Sequence, residues 1–115
     1  MGSKELGDLG EDIAFHYLKK KGYKVLFRNY RTKHGEIDLI AKKKGTLVFV
    51  EVKYGSREAY LRVNVGKFRR IATTAEKFIE EHGDFGTKRY FVDVISIDKN
   101  GEVLHFENVA KDFWR

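Results

Sequence analysis

Apolar side chains recur along the chain in two rhythms. From Ser3 to about Lys21, Leu6, Leu9, Ile13, Tyr17 and Lys21 fall at helical spacing, and Ala14 and Leu18 widen the stripe. Ser3 can cap the start, Lys19 to Lys21 suit the negative end of the helix dipole, and Gly22 follows as a stop. A second helical stripe of Phe68, Ile71, Ala72, Ala75, Phe78 and Ile79 runs from a cap at Asn64 to about His82, where Gly83 ends it.

The other stretches read as strands. Tyr23 to about Arg31 sets Val25 and Phe27 on one face and Leu26 on the other. Gly35 to about Lys42 and Thr46 to Tyr54 follow, separated by the polar turns Thr32–Gly35 and Lys43–Gly45. Arg89 to Ile97 and Glu102 to Phe106 or Glu107 are a fourth and fifth strand around an Asn100-Gly101 turn. Gly55 to Asn64 has no clean period, and the tail from Asn108 carries Phe113 and Trp114, which could pack back on the core. The order is α-β-β-β-α-β-β. Short loops make the first three strands an antiparallel meander, and the helix between the third and fourth makes that pair parallel, with a right-handed crossover. The expected product is an α/β fold: one domain over residues 1–115, a mixed sheet of five strands with helices on its faces.

Composition narrows the class. A chain of 115 residues supports one sizeable core. No apolar run is long enough to span a bilayer, the N-terminal stretch lacks the apolar core of a signal peptide, and no cysteine is present, which together favour the cytoplasm. The net charge of +6, from 23 basic against 17 acidic residues, suits a polyanionic partner. Arg28, Arg31, Lys33 and the Lys42–Lys44 run could follow a nucleic-acid backbone, although a solvated hairpin tip reads the same way.

The unusual chemistry lies in GEIDLIAKKKGTLVFVEVK, residues 35–53. Asp38 stands inside an apolar strand, and Glu51 and Lys53 end the next, on one face with Val52 on the other. If the two strands pair about the Lys43–Gly45 turn, Asp38 comes close to Glu51. Two carboxylates about 4 Å apart repel by about 4 kcal/mol at an effective dielectric of about 20, so a cation must offset them or one must hold a proton. Lys53 could supply the charge in a structural ion pair, and a hard divalent ion liganded by oxygen could supply more. Lys67, Arg69 and Arg70 open the second helix, where cations oppose the dipole and an incoming phosphate would reverse that penalty. Glu36 would partner a nearby Lys or Arg. Asp93, inside an apolar strand, needs a partner, for which a structural salt bridge is the expectation. His16, His34, His82 and His105 show no metal-ligand spacing, and only His34, in the turn before GEID, stands near the acidic cluster.

The motifs resemble the small bacterial YraN-like proteins, a branch of the PD-(D/E)XK nuclease superfamily similar to archaeal Holliday-junction resolvases. The likeness rests on Gly10-Glu11, Gly22-Tyr23, Asn29, Arg31, GEIDLIA from Gly35, VFVEVK from Val48 to Lys53, then Lys67, Arg70 and YFVDVISI from Tyr90. It implies a restriction-endonuclease-like fold of sheet order 1-2-3-4-5, with strands two and five antiparallel to the rest, and hydrolysis of phosphodiester bonds dependent on Mg²⁺ or Mn²⁺. In that family pattern Asp38, Glu51 and the backbone carbonyl of Val52 hold the metal and Lys53 orients or deprotonates water. Glu11 reaches the site from the first helix, either behind the metal's direct ligands or as a ligand to a second ion; Lys67 is a further catalytic candidate on the dipole argument above. The family usually has further basic residues and a proline-containing segment after the EVK; this chain reads Tyr54-Gly55-Ser56-Arg57 and has no proline.

The resulting expectation is a metal-dependent DNA endonuclease, selective for branched DNA if it acts like the resolvases, with Arg31, Lys33, Arg69 and Arg70 on the nucleic acid. The rivals are a non-catalytic nucleic-acid-binding protein and an assembly protein whose charge pairs only hold the core. A resolvase acts on two strands and so calls for a homodimer, with the Tyr54–Tyr60 loop and the Phe113–Trp114 tail as candidate contacts.

Overall fold

The computed structural model describes residues 3–55 and 65–111. The elements are α1 (Ser3–Lys20), β1 (Lys24–Thr32), β2 (Gly35–Lys43), β3 (Thr46–Gly55), α2 (Val65–His82), β4 (Arg89–Asp98) and β5 (Val103–Phe106). The expected cap residue Asn64, most of the stretch from Gly55 to Asn64 and the Phe113–Trp114 tail lie outside the described residues, as does the Ser3 side chain.

The strands form one sheet of order β1-β2-β3-β4-β5. The pairs β1–β2, β2–β3 and β4–β5 are antiparallel and β3–β4 is parallel, so β2 and β5 run against the others, as the topology of the resemblance implied. The β2–β3 turn is a two-residue loop, Lys44 at φ 48° and Gly45 at φ 79°. Both central residues are left-handed, the geometry that matches strand twist in a tight hairpin.

Alternation along β3 sorts the core into two layers. Leu47 and Phe49 pack with Phe68, Ile71, Ala75 and Phe78 of α2. Val48 and Val50 pack with Ala14 and Leu18 of α1. One helix therefore covers each face. Phe49 and Phe78 are fully buried and meet edge-on, with ring centroids 6.0 Å apart. Burying a side chain of that size contributes about 2–3 kcal/mol.

Two expectations from the pattern fail locally. A bulge between Val25 and Phe27 adds a residue to β1, so Leu26 and Phe27 both pack on the α2 side instead of facing opposite ways. Leu9, placed in the buried stripe of α1, is 39% exposed, because the helix meets the sheet further along, through Ala14 and Leu18.

Candidate active site

The β2–β3 ladder is regular from Lys43↔Thr46 to Leu39↔Val50 and goes no further. The next pair would set Asp38 opposite Glu51. Instead the Val52 N–H donates to Asp38 Oδ2 at 2.7 Å. A carboxylate has taken the place of a strand carbonyl, and the strands part around it. Alternation breaks at the same point, since Ile37 belongs to the α2-side layer and Leu39 to the α1-side layer.

Two more residues, Glu51 and Val52, lie where the strands part. Glu51, its side chain 8% exposed, faces the α2 side, with Lys53 Nζ at 3.6 Å and Lys67 Nζ at 3.7 Å from its Oε1. Lys67 reaches in from the first turn of α2. Val52, between Glu51 and Lys53, turns into the α1-side layer. Asp38 and Glu51 also hydrogen-bond to each other. Burial pushes the Asp38 carboxyl up to about 8, the negative charge of Glu51 adds to the shift, and the Val52 N–H only partly opposes it.

Glu11 comes from α1. Gly10 beside it faces β3 so closely that an added Cβ would lie 3.3 Å from Tyr54 Cβ. A glycine there lets the helix approach near enough for the next residue to reach the parted strands. Asn29 holds Glu11 by a side-chain hydrogen bond; burial raises the Glu11 pKa, this bond lowers it, and the charge of Glu36 raises it further. Asn29 sits at φ 55°, in the left-handed region that asparagine tolerates better than most residues. It lies in β1 between the pairs Arg28↔Leu39 and Tyr30↔Ile37, across from Asp38.

Glu11, Glu36 and Asp38 each offer an oxygen within 4.8 Å of the others. Glu36 also pairs with Arg31 at 3.3 Å, the kind of partner expected for it. Gly35, Glu36, Asp38, Glu51, Lys67 and Arg70 line a hollow of about 110 Å³ between the parted strands and the start of α2. Gly35 is another close approach: an added Cβ would lie 3.1 Å from Thr74 Oγ1 of α2.

The structure thus draws together Glu11, Asp38, Glu51, Lys53 and Lys67, with Arg31 and Arg70 at the margin. Lys33 and Arg69 are exposed outside the hollow. His34 is exposed in the β1–β2 turn. Sequence reasoning passed over three contributors. Gly10 and Asn29 figured only as motif letters, and Glu36 only as an ion-pair partner. The signal for Asn29 was its residue type, suited to left-handed backbone inside an otherwise β-prone run. A donor set made of carboxylate oxygens fits a hard divalent ion such as Mg²⁺ or Mn²⁺ and offers no thiolate or imidazole for a softer one.

The second acid in an apolar strand is settled differently. Asp93 is 1% exposed and receives a 2.9 Å bond from the Asn108 N–H and a 2.7 Å contact from His105 Nε2. His105 Nδ1 lies 3.2 Å from the Tyr17 hydroxyl of α1. The expected salt-bridge partner is thus a histidine, on the face opposite the hollow.

Fold and site together define an α/β protein with a carboxylate and lysine cluster where two central strands part. The chain belongs to the uncharacterised protein family UPF0102, whose family model matches residues 10–97. It is 39% identical to a UPF0102 protein of Fervidobacterium nodosum, over 96% of this chain and 86% of that one. It is 45% identical to one from Pseudothermotoga lettingae, over 86% of this chain and 92% of the relative. A Sulfurihydrogenibium relative is 41% identical over 94% of this chain and 96% of its own length. Among the described residues no helix is long and apolar enough to cross a membrane.

Proposed function

We propose that the protein is a metal-dependent endonuclease that hydrolyses phosphodiester bonds in DNA. The observation that carries this reading is the Asp38–Glu51 pair. Two carboxyl groups in hydrogen-bond contact, one of them pushed up to about 8, share a proton that a divalent cation would displace. Two lysines on Glu51 add positive charge where a phosphate would enter. The family's motif set, present here as Glu11, Asp38, Glu51 and Lys53, supports the same reading by resemblance.

Asp38, Glu51 and the Val52 carbonyl would hold Mg²⁺ or Mn²⁺, which supplies a Lewis-acid centre for the phosphate and acidifies water. The protein's own groups do the rest. Lys53, within ion-pair reach of Glu51, either orients the attacking water as an ammonium, the water's proton passing to solvent, or takes that proton as the neutral amine; as the cation it steadies the charge that gathers on the phosphate oxygens. Water adds at phosphorus, one P–O ester bond breaks, and the leaving oxygen takes up a proton from solvent. Lys67, at the N-terminal end of α2, meets a phosphate where the helix dipole favours an anion. Arg31 and Arg70 flank the entrance, and Lys33 and Arg69 lie beyond it as backbone contacts. Action on both strands of a branched substrate would call for two copies of the chain.

The test is cleavage of a labelled panel of four-way junction, flap, single-stranded and linear duplex DNA. It is run with Mg²⁺, with Mn²⁺ and with EDTA, beside Glu51→Gln purified identically. Metal-dependent cleavage by the wild type, lost in the variant, is the expected result, and the preferred substrate names the selectivity. No cleavage with any metal while DNA is still bound would transfer the reading to a non-catalytic binding protein.

A further inference from the structure

Basic residues that the carboxylate site does not use gather at the opposite end of the sheet. Three chain segments meet there: the start of β1 with Lys24, the β2–β3 turn with Lys42, Lys43 and Lys44, and the start of β4 with Lys88 and Arg89. The backbone locks them together. The Gly45 carbonyl accepts the N–H groups of both Lys88, at 2.9 Å, and Arg89, at 3.2 Å. The Arg89 guanidinium donates to the Lys44 carbonyl at 3.4 Å. Lys43 Nζ donates to the Lys21 carbonyl at 2.6 Å and Lys42 Nζ to the Phe85 carbonyl at 3.3 Å. These acceptors are neutral, so the charges are fixed in position without being cancelled. Among the described residues none of the six cations has a carboxylate oxygen within ion-pair distance. Two carboxylates do stand at this end. Glu107 receives the Tyr23 hydroxyl and Asp84 receives the Gly86 N–H.

The turn is flanked by two open hollows of about 310 and 300 Å³, and Lys43 and Lys44 line both. Aromatic rings at this end lie beneath cations, with Lys43 Nζ 4.9 Å from the Tyr23 ring centre and Arg89 Cζ 5.9 Å from that of Phe91. The end therefore presents cations at its surface and not an apolar wedge. A self-repelling array held on a rigid frame suits an extended polyanion of regular charge spacing.

We propose that this end of the sheet is a second nucleic-acid contact, which grips the phosphate backbone of a duplex flank while the bond to be cut lies at the carboxylate site. The choice of polyanion rests on the nuclease reading; the array itself does not. Asp38 and Lys44 are six positions apart along one hairpin arm, which places the two ends about 20 Å apart. That span is about six base steps of a duplex. A flank shorter than this cannot bridge the two ends, and a longer one can.

The experiment uses the whole protein in EDTA, so that nothing is cut. Binding of labelled duplexes of 6, 12 and 24 base pairs is followed by fluorescence anisotropy across a salt series. The wild type is compared with the triple variant Lys24→Ala, Lys44→Ala, Lys88→Ala. All three side chains are exposed, and thermal melting checks that the variant is folded. The variant is expected to bind the 24-mer about ten-fold or more weakly, with its log–log salt slope reduced by about two to three, at about 0.9 per phosphate contact. Binding of the 6-mer is expected to fall less than that of the 24-mer, because a flank this short meets one end of the sheet at a time. An unchanged affinity and slope on the 24-mer would overturn the proposal. So would an equal loss on vesicles of phosphatidylglycerol, which would assign the array to anionic surfaces in general. A wild type that binds the 24-mer through this array and cleaves nothing with any metal would defeat the nuclease reading and leave the second contact standing.

Discussion

Asp38 and Asp93 are the same residue type in neighbouring layers of one sheet, each placed among apolar side chains, and they have opposite surroundings. Asp93 is enclosed by groups that hydrogen-bond to it: the Asn108 N–H, and His105 backed by Tyr17. Asp38 receives one backbone N–H, then faces Glu51, with Glu11 adding further negative charge. A buried acid with partners ties elements together; here it joins β4, β5 and the segment after β5 and reaches α1. A half-buried acid among other acids has no such support: its own burial and the charges of Glu51 and Glu11 raise its pKa, and only the Val52 N–H opposes them. The contrast sets an acid satisfied by donors beside an acid crowded by acids, and on the proposed reading the second kind is the functional one.

Exchange of each acid breaks the comparison at its ends. Asp38→Asn keeps the shape and the Val52 contact but can no longer give up a proton to become an anionic ligand. Cleavage should fall by about a thousand-fold or more, equivalent to about 4 kcal/mol in the barrier. Stability should hold or rise, as measured by nuclease rates beside urea unfolding. Asp93→Ala should do the reverse. It strands the Asn108 N–H and the His105 ring in the interior, and unfolding free energy should drop by about 3 kcal/mol, while metal binding to the remaining folded protein stays intact.

The next effect is a matter of pH. Between the ordinary carboxylate value of 3.8 and about 8 the folded protein keeps a proton on Asp38 that the unfolded chain has released. The stability this proton provides is full below the lower value and drains away as pH rises through the upper one. In EDTA the wild-type Tm should therefore fall relative to Asp38→Asn between pH 5 and 9, by roughly 5–10 °C. Equal pH profiles for the two proteins would remove the strained acid from the account.

The smallest effect concerns the approach of α1. In Gly10→Ala the better helix propensity, worth up to about 1 kcal/mol, opposes crowding against Tyr54, so net stability should shift by less than about 1 kcal/mol. A helix pushed outward carries Glu11 away, and cleavage should drop a few-fold. An unchanged rate would show that Glu11 does not need that close contact.

Most of the architecture was legible in the sequence because each element carries its own period and its own stop. The two helical stripes, the polar turn over Lys43–Gly45 and the crossover through α2 are local signals, and they agree with the sheet order that the resemblance implied. Asp38, Glu51 and Lys53 were legible because charges stood where the pattern demanded apolar residues. What escaped depends on non-local geometry. The bulge at Leu26 shows only once β1 is laid against β2. Asn29 acquires its role from lying across from Asp38 within reach of a helix. His105 was set aside for lacking metal-ligand spacing, yet the hairpin register that pairs it with Ile95 sets it beside Asp93, two residues earlier on the same face. The basic end of the sheet is assembled from three segments that are far apart in the chain, and only Lys42–Lys44 was visible as a run.

The most direct measurement is titration calorimetry of Mn²⁺ into the wild-type protein, Asp38→Asn and Glu51→Gln at pH 8, without nucleic acid. A cation site built on the carboxylate pair predicts saturable binding by the wild type, proton release on binding, and its loss or severe weakening in both variants. Equal binding by all three proteins, or none by the wild type, would contradict the claim that the parted strands are built to hold a divalent ion.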